Sequence, residues 1–167
     1  MVQSGIKVSD DAIAAYTSVS LKNTKGCRFN LNPKHDLVIL EEGSEICKTS
    51  PDPFKELIDG FPDDACRYAI LDVSFSTEDR PGLQKLCLLM WSPDAAKIKD
   101  KMLTTSTKDA LKAKFNTVAT IVDMHSQEDK CINTVIQKLY KLDKKVITGF
   151  QGKPVVLDED SNEYIYA

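Results

Sequence analysis

Two long apolar runs dominate the hydropathy pattern of the chain. They cover Cys66–Phe75 and Lys85–Trp91, and each is apolar over much of its length rather than at alternate positions. Continuous runs of this kind are typical of strands that are covered on both faces of a sheet. The polar segment between them, Ser76–Gly82, ends in Pro-Gly and favours a turn. The pattern therefore predicts two central strands joined by a turn.

Helices and shorter strands are predicted around this pair. Capping residues predict one helix that starts after Ser9 or Asp10 and a second one over Pro53–Phe61, which has a proline in its first turn. Turn residues between two apolar segments predict a hairpin. The other predicted elements are that hairpin's strands at Cys27–Leu31 and Leu37–Leu40, helices over Asp94–Phe115 and Gln127–Tyr140, and short edge strands at Val146–Ile147 and Val155–Leu157.

The fold class follows from this mixture of elements. The helix near Gln127–Tyr140 has a single apolar stripe with i, i+3, i+4, i+7 spacing, formed by Ile132, Val135, Ile136 and Leu139. The sequence predicts an α/β fold of the mixed α+β type, in which a central mixed β-sheet is flanked by helices on both faces. One domain is expected over residues 1–157. The acidic segment 158–167 is expected to be a loosely held tail.

Composition places the chain among ordinary soluble globular proteins. It has 167 residues, 42% of them hydrophobic, and a net charge of −3. This charge gives no general reason to expect nucleic-acid binding. The longest strongly apolar run, Leu86–Trp91, is too short for a membrane-spanning helix, and no signal peptide is evident at the start. Five cysteines without a CxxC pair favour a reduced cytosolic protein.

No arrangement of residues in the sequence suggests catalysis. The only histidines, His35 and His125, have no cysteine, serine or carboxylate at a recognised catalytic spacing. A glycine-rich phosphate loop and a cluster of metal ligands are also lacking. We therefore expect neither an enzyme nor a bound cofactor or metal.

The predicted helix after Trp91 has the most informative surface. On an ideal helix Lys97, Lys101, Lys108 and Lys112 fall on one side, and Ile98 and Met102 lie beside them one turn apart. Such a surface is suited to an acidic protein partner, and a thioether side chain adapts easily to a partner surface. A solvated helix face is the alternative reading of the same pattern.

Several motifs in order along the chain resemble the cofilin (actin-depolymerising factor) family. The first is Trp91-Ser92-Pro93-Asp94 with Lys101-Met102 and Ser106–Leu111, which is similar to the long-helix signature of that family. Asp64–Asp72 is similar to the family's central strand, and Gly5–Asp10 to its N-terminal segment. Gly152-Lys153-Pro154 is similar to the ending of animal members. The likeness extends from Ser4 to about Leu157 and implies an actin-depolymerising-factor-homology domain.

The resemblance also implies a function and a set of site residues. Ser4, Gly5, Lys99, Lys101 and Met102 are expected to contact actin in monomers and filaments. Lys85, Lys138 and Lys141 are expected to contact a second subunit of the filament. Binding of both subunits would select an altered filament twist and promote severing and depolymerisation. The protein is expected to act as a monomer on the cytoplasmic actin cytoskeleton.

Regulation is implied by the same resemblance. Ser4 stands where many members are phosphorylated by a kinase, and the added negative charge would oppose docking to an acidic partner until a phosphatase removes it. The lysines of the long helix are expected to bind phosphoinositide headgroups in competition with actin.

The sequence departs from the family pattern at a few positions, which leaves a second reading open. Leu83 stands where some members have another basic residue of the filament-binding hairpin, and Thr104–Thr107 replaces the usual Tyr-Ala-Ser-Ser. Helix-interior threonines can bend a helix, so a kink is expected there. Thr120 stands in place of a pH-linked histidine, and no lysine-rich nuclear signal is found near Lys22–Lys25. The alternative function is a coactosin-like filament side-binder without depolymerising activity.

Overall fold

A ten-stranded sheet organises the computed structural model, which describes residues 5–167. The sheet has the order β1-β3-β2-β5-β8-β9-β10, with β4 beside β2 and with β6 and β7 on the other side of β5. The strands are β1 Lys7–Val8, β2 Thr24–Leu31, β3 Leu37–Leu40, β4 Ile46–Cys47, β5 Arg67–Thr77, β6 Leu83–Trp91, β7 Val118–Met124, β8 Ile147–Phe150, β9 Lys153–Asp158 and β10 Glu163–Tyr166. The helices are α1 Asp10–Ser20, α2 Pro53–Ile58, α3 Ile98–Ser106, α4 Lys108–Lys114 and α5 Ile132–Asp143.

The predicted central pair is confirmed. Strands β5 and β6 are antiparallel over nine residue pairs, from Arg67↔Trp91 to Phe75↔Leu83. Strand β7, which the hydropathy pattern did not predict, lies parallel to β6. Because β1 also runs parallel to β3 while the other pairs are antiparallel, the sheet is mixed, as predicted.

Helices cover both faces of the sheet, again as predicted. On one face, α2 and α5 pack their apolar sides against alternate residues of β5 and against Trp91. On the other face, α1 and α4 pack around Phe29, Tyr68 and Ile70. The alternation of Tyr68 and Ile70 with Ala69 and Leu71 along β5 divides the two cores, because successive side chains of a strand point to opposite faces.

The starts of the first two helices follow from their capping residues. The Ser9 hydroxyl accepts a hydrogen bond from the Ala12 amide at 3.1 Å, and the Asp52 carboxylate accepts one from the Lys55 amide at 3.1 Å. Each bond satisfies an amide that has no partner within the helix. Pro53 occupies the first turn of α2, where its missing amide hydrogen has no cost.

A break divides the predicted long helix into α3 and α4. The helix begins at Ile98 rather than Asp94, and Thr107 ends α3 and precedes α4. The Thr107 hydroxyl donates to the Leu103 carbonyl at 2.6 Å, and the Thr105 hydroxyl donates to the Lys101 carbonyl at 3.0 Å. These side-chain bonds compete for the carbonyls of the preceding turn, so the expected kink is present.

The C-terminal segment corrects the sequence prediction. Residues Glu163–Tyr166 form β10, which pairs with β9 in antiparallel register, so a loosely held tail is the wrong description of this segment. Tyr164 is only 5% exposed, and its amide donates to the Asn133 side chain of α5 at 2.8 Å.

Helix α5 itself begins at Ile132, after a short 3-10 turn at Gln127–Asp129. Within residues 5–167, none of the helices is long and apolar enough to cross a membrane.

Candidate protein-binding surfaces

The first candidate surface lies on the N-terminal half of α3. Ile98 and Met102 are 73% and 67% exposed, which is unusual for large apolar side chains on a helix that packs against a core. Lysine side chains surround this pair. We call the surface formed by Lys97, Ile98, Lys99, Lys101 and Met102 the lysine–methionine face. It joins cations to a flexible apolar centre, which is a suitable composition for binding a protein partner.

Contacts with the sheet fix the orientation of this face. The His35 ring, in the turn between β2 and β3, lies with Nε2 2.9 Å from Asp100 Oδ1. The Tyr68 hydroxyl donates to the Thr104 carbonyl at 3.0 Å. Because these contacts hold one side of α3, its lysines and Met102 point away from the core. The Lys101 ammonium donates to the Asp94 carbonyl at 3.3 Å, which ties the helix to the loop before it.

The predicted row of four lysines is not continuous. Lys97 and Lys101 lie at the start of α3, whereas Lys108 and Lys112 belong to α4 beyond the break. Lys108 also turns toward the sheet, with its ammonium 4.0 Å from Asp123 Oδ2 of β7. The break at Thr107 therefore separates Lys97 and Lys101 from Lys108 and Lys112, although Lys112 is also exposed.

The N-terminal segment lies on the same side of the molecule as α3. Gly5 has φ +73, a backbone conformation that glycine adopts without strain. Two residues later the Lys7 amide donates to the Asp36 carbonyl at 3.1 Å, next to His35, which contacts α3. Ser4, the predicted phosphorylation site, lies outside the residues that the structure describes.

The second candidate surface is formed by β6 and the C-terminal half of α5. Lys141 is exposed and Lys138 is half-buried. Lys85, the third lysine predicted here, has its ammonium 3.5 Å from Asp143 Oδ2 at the end of α5. Leu83 is half-buried and packs against the core below. We give the name α5 face to Lys85, Lys138, Lys141 and Asp143, of which Lys85 and Asp143 are in direct contact.

The two surfaces lie on helices that cover opposite faces of the sheet. Leu103 of α3 packs against the core beneath α1 and α4, whereas α5 packs against the other core. The sheet separates them, so the two faces are exposed on different sides of the molecule. The sequence pattern gave no sign of the His35–Asp100 and Lys85–Asp143 contacts, because 65 and 58 positions separate the partners.

Burial makes three side chains of the two cores weaker acids. Burial raises the pKa of the Tyr68 hydroxyl to about 12, and it raises the pKa of the Cys27 and Cys87 thiols to about 12. All five cysteines are free thiols. Among residues 5–167, no group of three or more His, Cys, Asp or Glu side chains is arranged to hold a metal ion.

Comparison with known proteins identifies the family. The family model described as "Cofilin/tropomyosin-type actin-binding protein" matches residues 5–140. The chain belongs to this family. The match includes the whole lysine–methionine face together with Lys85 and Lys138, and it ends before Lys141 and before β8–β10. The predicted membership of the cofilin family and the predicted fold are thereby confirmed.

Solved cofilin-family structures have the same fold. Cofilin from Streptomyces griseoflavus is 26% identical with a TM-score of 0.69, and the match covers 82% of this chain and 98% of that one. Actin depolymerization factor 2 from Plasmodium berghei is 22% identical with a TM-score of 0.69, covering 86% and 99%. The human coactosin-like protein is 14% identical with a TM-score of 0.67, covering 86% and 94%. The last two likenesses show a shared fold.

Proposed function

We propose that this chain binds actin monomers and filaments and promotes the severing and depolymerisation of filaments. The observation that carries the proposal is the lysine–methionine face, where Ile98 and Met102 are exposed at 73% and 67% on a helix held in place by the sheet. Apolar side chains exposed on an ordered helix gain free energy when a partner covers them. The chain belongs to an actin-binding family, which supports actin as the partner.

Each part of this face has its own role in the proposal. Lys99 and Lys101 attract an acidic patch of actin and set the orientation of docking. Met102 and Ile98 supply the apolar centre of the contact, where most of the binding free energy is expected. Gly5 precedes Lys7, whose amide bonds to the turn that holds α3, and Ser4 is proposed to contact actin together with Gly5.

The α5 face is proposed to contact the neighbouring subunit of a filament. Lys85, Lys138 and Lys141 supply its positive charge, and it lies across the sheet from the lysine–methionine face. A protein that contacts two subunits binds best to the filament geometry that satisfies both contacts. It therefore shifts the filament toward that geometry, and the boundaries of altered segments become sites of severing.

Sedimentation with preassembled actin filaments tests the proposal. We expect actin to move from the pellet to the supernatant in proportion to the added protein. Replacement of Lys99 and Lys101 by alanine is expected to weaken actin binding by about fivefold or more, because both cations face the partner. The matched control replaces Lys48 and Lys114, two exposed lysines outside both faces, by alanine and is expected to bind actin normally. The absence of any interaction with actin would contradict the proposed function.

A coactosin-like filament side-binder is the second candidate. It stays open because the chain shares its fold with the human coactosin-like protein. Leu83, which gives the β5–β6 hairpin fewer basic residues than in some cofilins, favours neither candidate. In the same experiment a side-binder would pellet with filaments and leave the amount of polymerised actin unchanged. Loss of actin from the pellet would exclude this candidate.

Phosphorylation of Ser4 is proposed to switch actin binding off. A phosphate group adds about −1.5 to −2 units of charge, and this charge at Ser4 would oppose docking to an acidic partner. A Ser4→Glu variant is expected to bind actin monomers more weakly than Ser4→Ala does. Equal binding by the two variants would contradict the switch.

Phosphoinositides are proposed to compete with actin for the lysine–methionine face. The face has several lysines on one exposed helical turn, as an anionic membrane surface requires. Vesicles that contain phosphatidylinositol bisphosphate are expected to release actin from the protein, whereas neutral phosphatidylcholine vesicles are not. Release by neither type of vesicle would contradict this competition.

The cytoplasmic actin cytoskeleton is the proposed location, and a monomer is the proposed active form.

A further inference from the structure

The two candidate surfaces differ in the pairing of their lysines. Among residues 5–167, Lys97, Lys99 and Lys101 form no ion pair with a carboxylate, and the nearby Asp100 contacts His35 instead. On the α5 face, Lys85 is paired with Asp143 at 3.5 Å. The first surface therefore offers free cations to an acidic partner, whereas the principal cation of β6 already has a carboxylate beside it.

The position of Asp143 is fixed from both directions along the chain. Asp143 is the last residue of α5, and Lys144 follows in a left-handed conformation with its amide donating to the Tyr140 carbonyl at 2.7 Å. The segment beyond is tied to the β5–β6 hairpin by the ion pair between Lys145 and Asp79, at 2.7 Å, and by the Glu78 amide, which donates to the Val146 carbonyl at 3.1 Å. These contacts keep the carboxylate next to Lys85.

Helix stability does not explain an acidic residue at this position. The C-terminus of a helix has a partial negative charge, which disfavours a carboxylate and favours a cation. Both side chains of the pair are also partly exposed, Lys85 by 30% and Asp143 by 43%. Ion pairs at such exposed sites add little to folding stability. The carboxylate therefore has a larger effect on what Lys85 can bind than on the fold.

We propose that Asp143 is a specificity-determining residue, which weakens the α5 face toward a second actin subunit and so favours actin monomers over filaments. The inference rests on the proposed function and deepens it. A filament carboxylate must compete with Asp143 for Lys85, and Asp143 also repels an acidic filament surface directly. Leu83, on the same hairpin, adds no cation to compensate. The lysine–methionine face has no such competitor, so monomer binding is unaffected.

The Asp143→Asn variant tests the inference, because it removes the charge and keeps the shape of the side chain. We expect filament binding in co-sedimentation to become about two- to fivefold tighter, the range expected for an exposed charge pair. The affinity for fluorescently labelled actin monomers is expected to stay the same. The control is Asp59→Asn, directly after α2, which changes the net charge equally and releases Lys55 from a 2.7 Å ion pair away from both faces.

A second set of variants, made in the Lys85→Ala protein, distinguishes an effect of Asp143→Asn that acts through Lys85 from a general effect of charge on filament binding. In a Lys85→Ala protein, most of the gain from Asp143→Asn is expected to disappear. The inference is overturned if Asp143→Asn matches the Asp59→Asn control, if its gain persists in full without Lys85, or if monomer binding rises equally. If the wild-type protein binds no actin at all, the proposed function fails and this inference fails with it. Normal monomer binding with unchanged filament binding overturns the inference alone.

Discussion

The hydroxyl of Tyr68 donates a hydrogen bond to the carbonyl oxygen of Thr104, 3.0 Å away, and joins the centre of the sheet to the last turn of α3. The Tyr68 ring is 1% exposed, within the core beneath α1 and α4. The Thr104 carbonyl lies just before the break at Thr107, where hydrogen bonds of the regular helix are lost. This one contact therefore supports the helix that presents the lysine–methionine face.

Replacement of Tyr68 by phenylalanine is expected to lower the free energy of unfolding by about 1 kcal/mol at pH 7, because it removes a buried hydrogen bond. Burial raises the pKa of Tyr68 to about 12 in the folded protein, whereas an unfolded tyrosine titrates near about 10. Its contribution to stability is therefore complete below about pH 10 and decreases as the pH rises toward 12. Urea unfolding between pH 7 and 11 measures both effects.

Tyr140→Phe is the control for the Tyr68 variant, since Tyr140 is only half-buried on α5. It is expected to change the free energy of unfolding by less than about 0.5 kcal/mol, as substitutions outside the core usually do. The interpretation of Tyr68 would be wrong if the two variants lost equal stability, or if the alkaline loss were the same in wild type and Tyr68→Phe.

The sequence predicted the parts of the fold whose signals are local. The continuous apolar runs identified β5 and β6, and the apolar stripe identified α5. Strand β7 was missed because Thr120 and Asp123 interrupt its apolar residues, so it has no continuous apolar run. Strand β10 was missed because it is only four residues long and follows an acidic turn, and the burial of its Tyr164 depends on packing against distant α5.

The residues of the candidate surfaces also fall into those with a signal in the sequence and those without one. Lys101 and Met102 were predicted from helical spacing and from family resemblance, and Lys99 from the resemblance alone. The structure places all three on α3. The residues that position and modulate these surfaces, His35 and Asp143, could not be predicted. Each acts through a partner that is distant in sequence, so its role depends on tertiary contacts that no local pattern encodes.

Gly26 is expected to be irreplaceable even by alanine. A Cβ atom at this position of β2 would lie 2.5 Å from the main-chain oxygen of Ile70 on β5, and a main-chain atom of a central strand cannot move aside. Gly26→Ala is expected to cost about 1–3 kcal/mol or more in the free energy of unfolding, measured by urea titration. The control is Gly149→Ala, whose Cβ would meet the movable Ser76 side chain at 3.3 Å. Equal losses in the two variants would contradict the steric argument.

Tyr164 is expected to make the C-terminal hairpin an integral part of the fold. Its ring is buried in the core with α5, while the neighbouring Ile165 is 43% exposed on the other side of β10. Tyr164→Ala is expected to lower the free energy of unfolding by about 3–5 kcal/mol, as truncation of a buried aromatic side chain does. Ile165→Ala, the control, is expected to cost less than about 1 kcal/mol. Thermal and urea unfolding measure both variants. A small loss in the free energy of unfolding for Tyr164→Ala would mean that the C-terminal hairpin contributes little to the stability of the fold.

Cys47 is expected to be the fastest-reacting thiol of the five. It is exposed, and a hydrogen bond with the Thr49 hydroxyl, 3.1 Å from the sulfur, lowers the pKa of its thiol. A lower pKa increases the thiolate fraction at pH 8, and the thiolate is the reactive form. Cys27 and Cys87 are buried with pKa values raised to about 12, so they stay protonated in the folded protein. Labelling with a chromogenic disulfide reagent is therefore expected to show one fast phase in native protein.

Two variants assign that fast phase. Cys47→Ser is expected to remove it, and Thr49→Ala is expected to slow it while leaving its amplitude unchanged, because the thiol remains exposed but loses the hydrogen bond that stabilises its thiolate. Cys27 and Cys87 are expected to react only after unfolding in urea, when the burial that raises their pKa is lost. A fast phase that survives in Cys47→Ser would mean that another thiol, such as half-buried Cys66 or Cys131, is the more reactive one.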